Sequence, residues 1–320
     1  MTAVAGVDIG GTKISAGLVA RDGTLGRTVT VPTPGADGPG AVLAAAAGAV
    51  RRLGEPVAAV GVGSAGVVDP VAGVIVSATD ALPGWAGTDL RGGLRALLGV
   101  PVAVENDVHA HALGEAWTGA AVGGRTVLLV AVGTGIGGSL LAGGAVHHGA
   151  RNVAGHVGHL AAPAAAGRPC TCGGAGHVEA VASGPALLAA YRRHGGDPAA
   201  AGLHTVAELA RQGDALAAGT LAEGAAALGE VLGGLANVLD PDAVLIGGGV
   251  SACGDVWWRP LRAAFAAALL PPLRPLRLTP ARLGPSAAVI GAARLGWAEL
   301  GERPDDVDPP GLPGGAVVGW

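Results

Sequence analysis

Val7-Asp8-Ile9-Gly10-Gly11-Thr12 and Val130-Ala131-Val132-Gly133-Thr134-Gly135 are built to one plan, in which an apolar run stops at a glycine turn. A second apolar run follows each turn, at 14–20 and at 136–142, so each segment reads as a β-hairpin. One supersecondary unit repeated at so long a separation is not a solenoid, whose period is roughly 20–50 residues, and predicts two related halves. Further apolar runs predict strands at 28–33, 57–62, 100–104 and 243–246. Alanine-rich segments of helical length lie at 40–53, 88–98, 108–118, 184–194, 204–212, 214–239, 255–270 and 286–300. Strands alternating with helices in this way define an α/β protein of two lobes with a cleft between them.

The 320 residues leave room for about two domains. With 50% of them hydrophobic and 14% charged, disorder over most of the chain is excluded, although the Pro/Gly/Asp-rich tail at 301–320 is expected to be disordered. The net charge is −4 and no basic block exists, so nucleic acid is not an expected partner. Lys13 is the only lysine among the 20 basic residues. The alanine-rich stretches are broken well before the roughly eighteen residues of a membrane span, and no secretory signal pattern opens the chain. Three cysteines, two of them as Cys-x-Cys, make no disulfide framework. A cytoplasmic protein with no membrane partner is expected.

Three glycine turns follow buried runs: Gly10-Gly11-Thr12, Gly133-Thr134-Gly135 and Gly247-Gly248-Gly249. Without a Cβ, backbone N–H groups can converge on phosphate oxygens, although any one such turn also serves simply to close a hairpin. None is a P-loop or a dinucleotide-binding fingerprint. Asp8, beside the first turn, can hold Mg²⁺ directly or through water, with Lys13 facing phosphate; equally, Asp8 can form the turn and Lys13 be solvated. Glu105-Asn106-Asp107 stands where a strand hands over to a helix, which suits either a helix cap or a general base with an orienting amide. His159, Cys170, Cys172 and His177 are two imidazoles and two thiolates, a tetrahedral zinc set in a coil-rich stretch, 147–176, that needs a staple. Cys253 is expected in the core, and His109 and His111 on a helix surface.

Taken in order, Asp8-Ile9-Gly10-Gly11-Thr12-Lys13, Glu105-Asn106-Asp107, Gly133-Thr134-Gly135-Ile136-Gly137-Gly138, Gly155-His156-Val157-Gly158-His159, Cys170-Thr171-Cys172-Gly173 and Ile246-Gly247-Gly248-Gly249 resemble the ROK family of repressors, open reading frames and kinases. The resemblance covers about residues 4–300. It implies an actin-like sugar-kinase fold of two ribonuclease-H-like lobes. The smaller lobe would be 1–107, completed by the helix at 286–300, and the larger 108–285, carrying a zinc loop at 147–177. It further implies ATP-dependent phosphorylation of the 6-hydroxyl of a hexose or N-acylhexosamine, with Mg²⁺ accompanying ATP, a structural Zn²⁺, and a homodimer or homotetramer.

Carried over by position, Asp107 resembles the catalytic base, and Gly66, Asn106, His156, His159 and Glu179 resemble sugar contacts, with His159 also on zinc. Gly10, Gly11, Thr12, Gly133, Thr134 and Gly135 would cradle phosphates, and Gly248 and Gly249 would approach the adenosine. Two positions depart from the family's pattern. His177 replaces the usual last cysteine of the zinc loop, and His156 replaces the carboxylate of the glucokinase motif Gly-Glu-x-Gly-His. An imidazole can donate to an N-acetyl carbonyl where a carboxylate can only accept. That substitution leans the expected substrate toward N-acetylmannosamine, with glucose or an amino-hexose as the alternative within the family. The family's repressors carry a helix-turn-helix segment before the sugar-binding lobes. Only three residues precede the first strand here, so a kinase is expected over a repressor or a non-catalytic sugar-binding protein.

Overall fold

The computed structural model describes residues 3–78 and 82–302; the tail expected to be disordered lies outside these from residue 303 on. In chain order come β1 (Val4–Ile9), β2 (Lys13–Val19), β3 (Leu25–Pro32), α1 (Pro39–Arg51), β4 (Ala59–Ser64), β5 (Val67–Asp69), β6 (Val74–Ser77), α2 (Leu90–Leu98), β7 (Val102–Asn106) and α3 (Asp107–Trp117). There follow β8 (Val127–Val132), β9 (Ile136–Ala142), β10 (Ala145–Val146), α4 (Glu179–Ala182), α5 (Gly184–Arg193), α6 (Leu203–Arg211), α7 (Ala215–Leu239), β11 (Ala243–Gly247), α8 (Asp255–Ala268), β12 (Leu278–Pro280) and α9 (Ala287–Glu299).

The two hairpins nucleate two five-stranded sheets of the same design, β3-β2-β1-β4-β7 and β10-β9-β8-β11-β12. In each, an antiparallel hairpin is extended by two parallel strands, β1–β4–β7 and β8–β11–β12. Central strands are apolar on both faces because both faces are covered; β4 is buried along its whole length. Sequence periodicity missed the three-residue β12, the two-residue β10 and the β5–β6 hairpin, all too short to show a repeat. β12 holds its place through parallel pairing of Val244 with Leu278, a contact between distant segments.

Helix α9 lies on the first sheet, and α3 runs against both α9 and the second sheet. Glycine makes the close approach possible: a Cβ on Gly61 would overlap the carbonyl of Ala292, and one on Gly291 that of Ala110. Since α3 is covered on two sides, His109 and His111 are not surface residues as expected; His109 is 4% exposed. Among the described residues one helix, α7, is long and apolar enough to cross a membrane, contrary to the expectation of broken stretches. Leu221, Leu228 and Leu232 of α7 are instead fully buried in the core it shares with α8 and the second sheet.

Candidate active site

Strand β7 delivers Glu105 and Asn106 to the point where α3 starts. Asn106 is the N-cap: its Oδ1 accepts from Val108 N at 2.9 Å and His109 N at 3.1 Å. Its Nδ2 donates to Asp107 Oδ1 and to the Gly66 carbonyl, both at 2.9 Å. The amide therefore caps the helix and orients the neighbouring carboxylate at once. Asp107 Oδ1 also accepts from Val108 N at 2.9 Å, which leaves Oδ2 for a substrate. Burial pushes the Asp107 carboxyl above the ordinary range against the pull of these hydrogen bonds, making it a stronger base.

Asp8, one residue from the end of β1, is pushed up to about 7 by burial and by the facing charge of Asp107, with Lys13 opposing. Two carboxylates converging on one cleft either share a proton or take a cation between them, and the second arrangement suits the Mg²⁺ expected at Asp8. The first glycine turn is closed by Gly10 N donating to Lys13 O at 3.0 Å and by Thr33 Oγ1 donating to Gly10 O at 2.7 Å. In the second, Gly133 N donates to Gly135 O at 2.8 Å, and Gly184 N, at the start of α5, donates to Gly133 O at 2.8 Å. Gly248 sits at φ +85°, where a Cβ would overlap the backbone of Val132, so the third turn admits only glycine.

A cavity of about 550 Å³ opens beside the second and third turns, lined by Gly133, Thr134, Gly184, Pro185, Leu188, His204, Ala207, Arg211, Gly249, Val250 and Cys253. It has the size and apolar walls that an adenosine needs. Gly10, Gly11, Thr12 and Lys13 stand outside this lining, on the first turn. Gly184, Pro185, Leu188, His204 and Arg211 escaped sequence reasoning; the Gly184-Pro185 pair, with Ser183 capping α5, was the one available sign of a helix N-terminus aimed at a phosphate turn. Cys253 is buried as expected, and burial pushes its thiol up to about 11.

A second, smaller pocket brings together Gly66, Asn106 and His156 with Gly138, Asn152 and Gly155. The His156 ring is bonded through Nδ1 to the Val153 carbonyl at 2.8 Å and stacks on His159, centroids 6.1 Å apart. A carbonyl cannot donate, so Nδ1 carries the proton and a neutral ring offers only an accepting Nε2 to the pocket. His156 thus presents the same hydrogen-bonding character as the carboxylate it replaces, and the donor that pointed to an N-acetyl carbonyl is already used.

His159, in the cysteine loop, and Glu179, the first residue of α4, are not in the lining of this pocket. The ligand atoms of His159, Cys170, Cys172 and His177 all lie within 4.8 Å of one another. Cys170 Sγ is 3.6 Å from His159 Nδ1 and Cys172 Sγ 3.2 Å from His177 Nδ1, close to the ~3.5 Å edge of a tetrahedral zinc site with one sulfur and one nitrogen. The donor set fits zinc, with His159 turning Nδ1 toward Cys170 Sγ. Glu179 accepts from Ile136 N at 2.8 Å with Oε2 and from Thr171 Oγ1 at 2.7 Å with Oε1. It ties the segment after the second glycine turn to the cysteine loop.

Two sheets of one design, glycine turns at the ends of both, and a capped carboxylate beside a small polar pocket define a sugar kinase of the actin-like fold. The sequence pattern of the ROK family matches residues 4–298, and the chain belongs to that family. It is 37% identical over 278 residues to a glucokinase of Streptomyces coelicolor, covering 81% of this chain and 86% of that protein. An N-acetylmannosamine kinase of Escherichia coli is 33% identical over 252 residues, 78% of this chain and 84% of that one. The crystal structure of a ROK family glucokinase from Streptomyces griseus in complex with glucose and AMPPNP superposes with a TM-score of 0.79 at 36% identity, over 92% of this chain and 99% of that chain. The protein is an ATP-dependent carbohydrate kinase.

Proposed function

We propose that this kinase phosphorylates the 6-hydroxyl of a hexose, with glucose as the preferred substrate and Asp107 as the base. Asp107 Oδ2 takes the hydroxyl proton as the oxygen attacks the terminal phosphorus of ATP, and the bond to the bridging oxygen breaks to release ADP. Asn106 and the Gly66 backbone position the sugar. The glycine turns at 10–12 and 133–135 hold the phosphates, and Gly248 and Gly249 flank the adenosine. Asp8 would hold Mg²⁺, which would supply charge neutralisation for the transferring phosphoryl group. His159, Cys170, Cys172 and His177 would hold a structural Zn²⁺ on the sugar side of the cleft, with Glu179 bracing them. The lobes are 1–107 with 286–300, and 108–285; their closure excludes water, the competing acceptor. On this reading the enzyme works in the cytoplasm as a homodimer or homotetramer.

The bond between His156 Nδ1 and the Val153 carbonyl carries the choice of sugar. A ring that only accepts suits a hydroxyl donor, as on glucose, better than an N-acetyl carbonyl. Likeness to the Streptomyces coelicolor glucokinase supports this choice. N-acetylmannosamine is the second reading, favoured by the motif Gly155-His156-Val157-Gly158-His159 and by the Escherichia coli relative. A coupled ADP-release assay separates them. The expected result is a kcat/KM at least ~10-fold higher on glucose than on N-acetylmannosamine, about 1.4 kcal/mol of transition-state discrimination. The reverse preference sinks the glucose assignment, and a folded protein that turns over no sugar sinks the kinase site as drawn.

A further inference from the structure

Beneath Asn106 and Asp107 lies a cluster that phosphoryl transfer does not itself use. Glu105 is 2% exposed, yet its carboxyl is ionised: burial pushes it up, but hydrogen bonds from His109 and His148 and their charges more than offset this and hold it at about 2. Glu105 Oε1 accepts from Asn106 N at 2.9 Å and meets His109 Nδ1 at 3.0 Å, while Oε2 meets His148 Nε2 at 2.6 Å. The far nitrogen of His109, Nε2, lies 3.3 Å from the carbonyl of Ala154. An ionised carboxylate and a carbonyl are both acceptors only, so each nitrogen of His109 must carry a proton for both bonds to form. His109 is therefore bound as an imidazolium.

The segment these bonds grip is the one that shapes the smaller pocket. Ala154 N donates to the His148 carbonyl at 3.1 Å, closing 148–154 into a loop. One end of that loop is held to Glu105 by the His148 ring and the other by His109 through Ala154. Ala154, Gly155 and His156 line the pocket, and His109 itself forms part of its wall. One buried carboxylate thus connects the strand that presents Asn106 and Asp107 to the loop that presents His156.

We propose that Glu105, His109 and His148 are positioning residues that lock the 148–156 loop against the catalytic strand, with His109 acting as a two-armed cation. This rests on the assignment of the smaller pocket to the sugar. Hydrogen bonding accounts for the 2.6 and 3.0 Å separations, which fall on two different oxygens of Glu105, and the same three residues as ligands of a second metal ion are the competing arrangement.

His109→Gln keeps one donor for Glu105 and loses the second arm. Sugar KM, ATP KM and kcat, together with hydrogen exchange of the 148–156 amides in the ligand-free protein, test the proposal. In His109→Gln, sugar KM is raised about tenfold, with ATP KM unchanged and kcat changed far less, and exchange of the 148–156 amides is faster. His148→Gln gives the weaker version of the same pattern, and keeps the test open if Glu105→Gln does not fold. Unchanged exchange in His109→Gln overturns the proposal whatever the enzyme phosphorylates. A wild type that turns over no sugar removes the kinase assignment and leaves exchange to decide the lock. Loss of one bound metal equivalent in His109→Gln, with the Cys/His zinc retained, shows a metal site instead.

Discussion

The two sheets share a strand order and carry different chemistry. Asp8 is the penultimate residue of β1, paired with Ser15 and Gly63; Ala131 is the penultimate residue of β8, paired with Gly137 and Gly247. At equivalent points of one design, the first sheet carries a carboxylate and the second a methyl group. The first sheet's outer parallel strand, β7, is buried and runs straight into Asn106-Asp107. Its counterpart β12 is three residues long and ends at Pro280, an edge strand that cannot extend the ladder. The connection to the fourth strand of each sheet differs too: α1 alone in the first, but the cysteine loop and α4 to α7 in the second, where α5 and α6 line the cavity of about 550 Å³. A shared backbone leaves function to what hangs from it: the first unit carries Asp8 and Asp107, the second an apolar cavity and the cysteine/histidine cluster.

The sharpest way to break this division is to make the first unit as inert as the second. Asp107→Asn keeps shape and the bonds to Asn106 and Val108 N but loses the base, so kcat is expected to fall ~10²–10⁴-fold with sugar binding retained by calorimetry. In the wild type, kcat should rise with pH along a limb displaced above the ordinary carboxylate range, because burial favours the protonated form of Asp107. A variant keeping more than about a tenth of wild-type kcat would move catalysis elsewhere.

A smaller effect is expected on the second unit. Protein purified without chelator should hold one zinc per chain, and removing it should lower the melting temperature and weaken sugar binding through His159, while nucleotide binding in the neighbouring cavity changes less. Metal analysis of His177→Cys, which restores the more usual ligand, should show full occupancy. A zinc-free wild type with full activity rejects the site.

The smallest effects separate a glycine that the packing requires from one it does not. Gly61→Ala places a methyl group into the Ala292 carbonyl, and α9 must shift off the first sheet, costing about 1–3 kcal/mol in denaturant unfolding. Gly219, on α7 with nothing within 4 Å of its would-be Cβ, should gain ~0.5–1 kcal/mol on substitution by Ala. Equal responses at the two positions would show that the close approach of α9 is not what fixes the glycine.

What the sequence determined by itself is what local chemistry writes down. The twin hairpins, the glycine turns after buried strands, the strand-to-helix handover at Glu105-Asn106-Asp107 and the set His159, Cys170, Cys172 and His177 follow from periodicity, backbone freedom and donor type over a few residues. Only the tertiary structure decided which partner each polar atom found. His156 spends its donor on Val153, His109 is buried and His111 half-buried because α3 is covered on two sides, and Arg211 reaches a cavity from a helix that shows no motif. Ala154 and Glu105, far apart in the chain, meet on opposite sides of one imidazole. Such pairings leave no period in the sequence. They are fixed by the packing that first brings the two groups out of water, after which each buried donor or acceptor must find its complement.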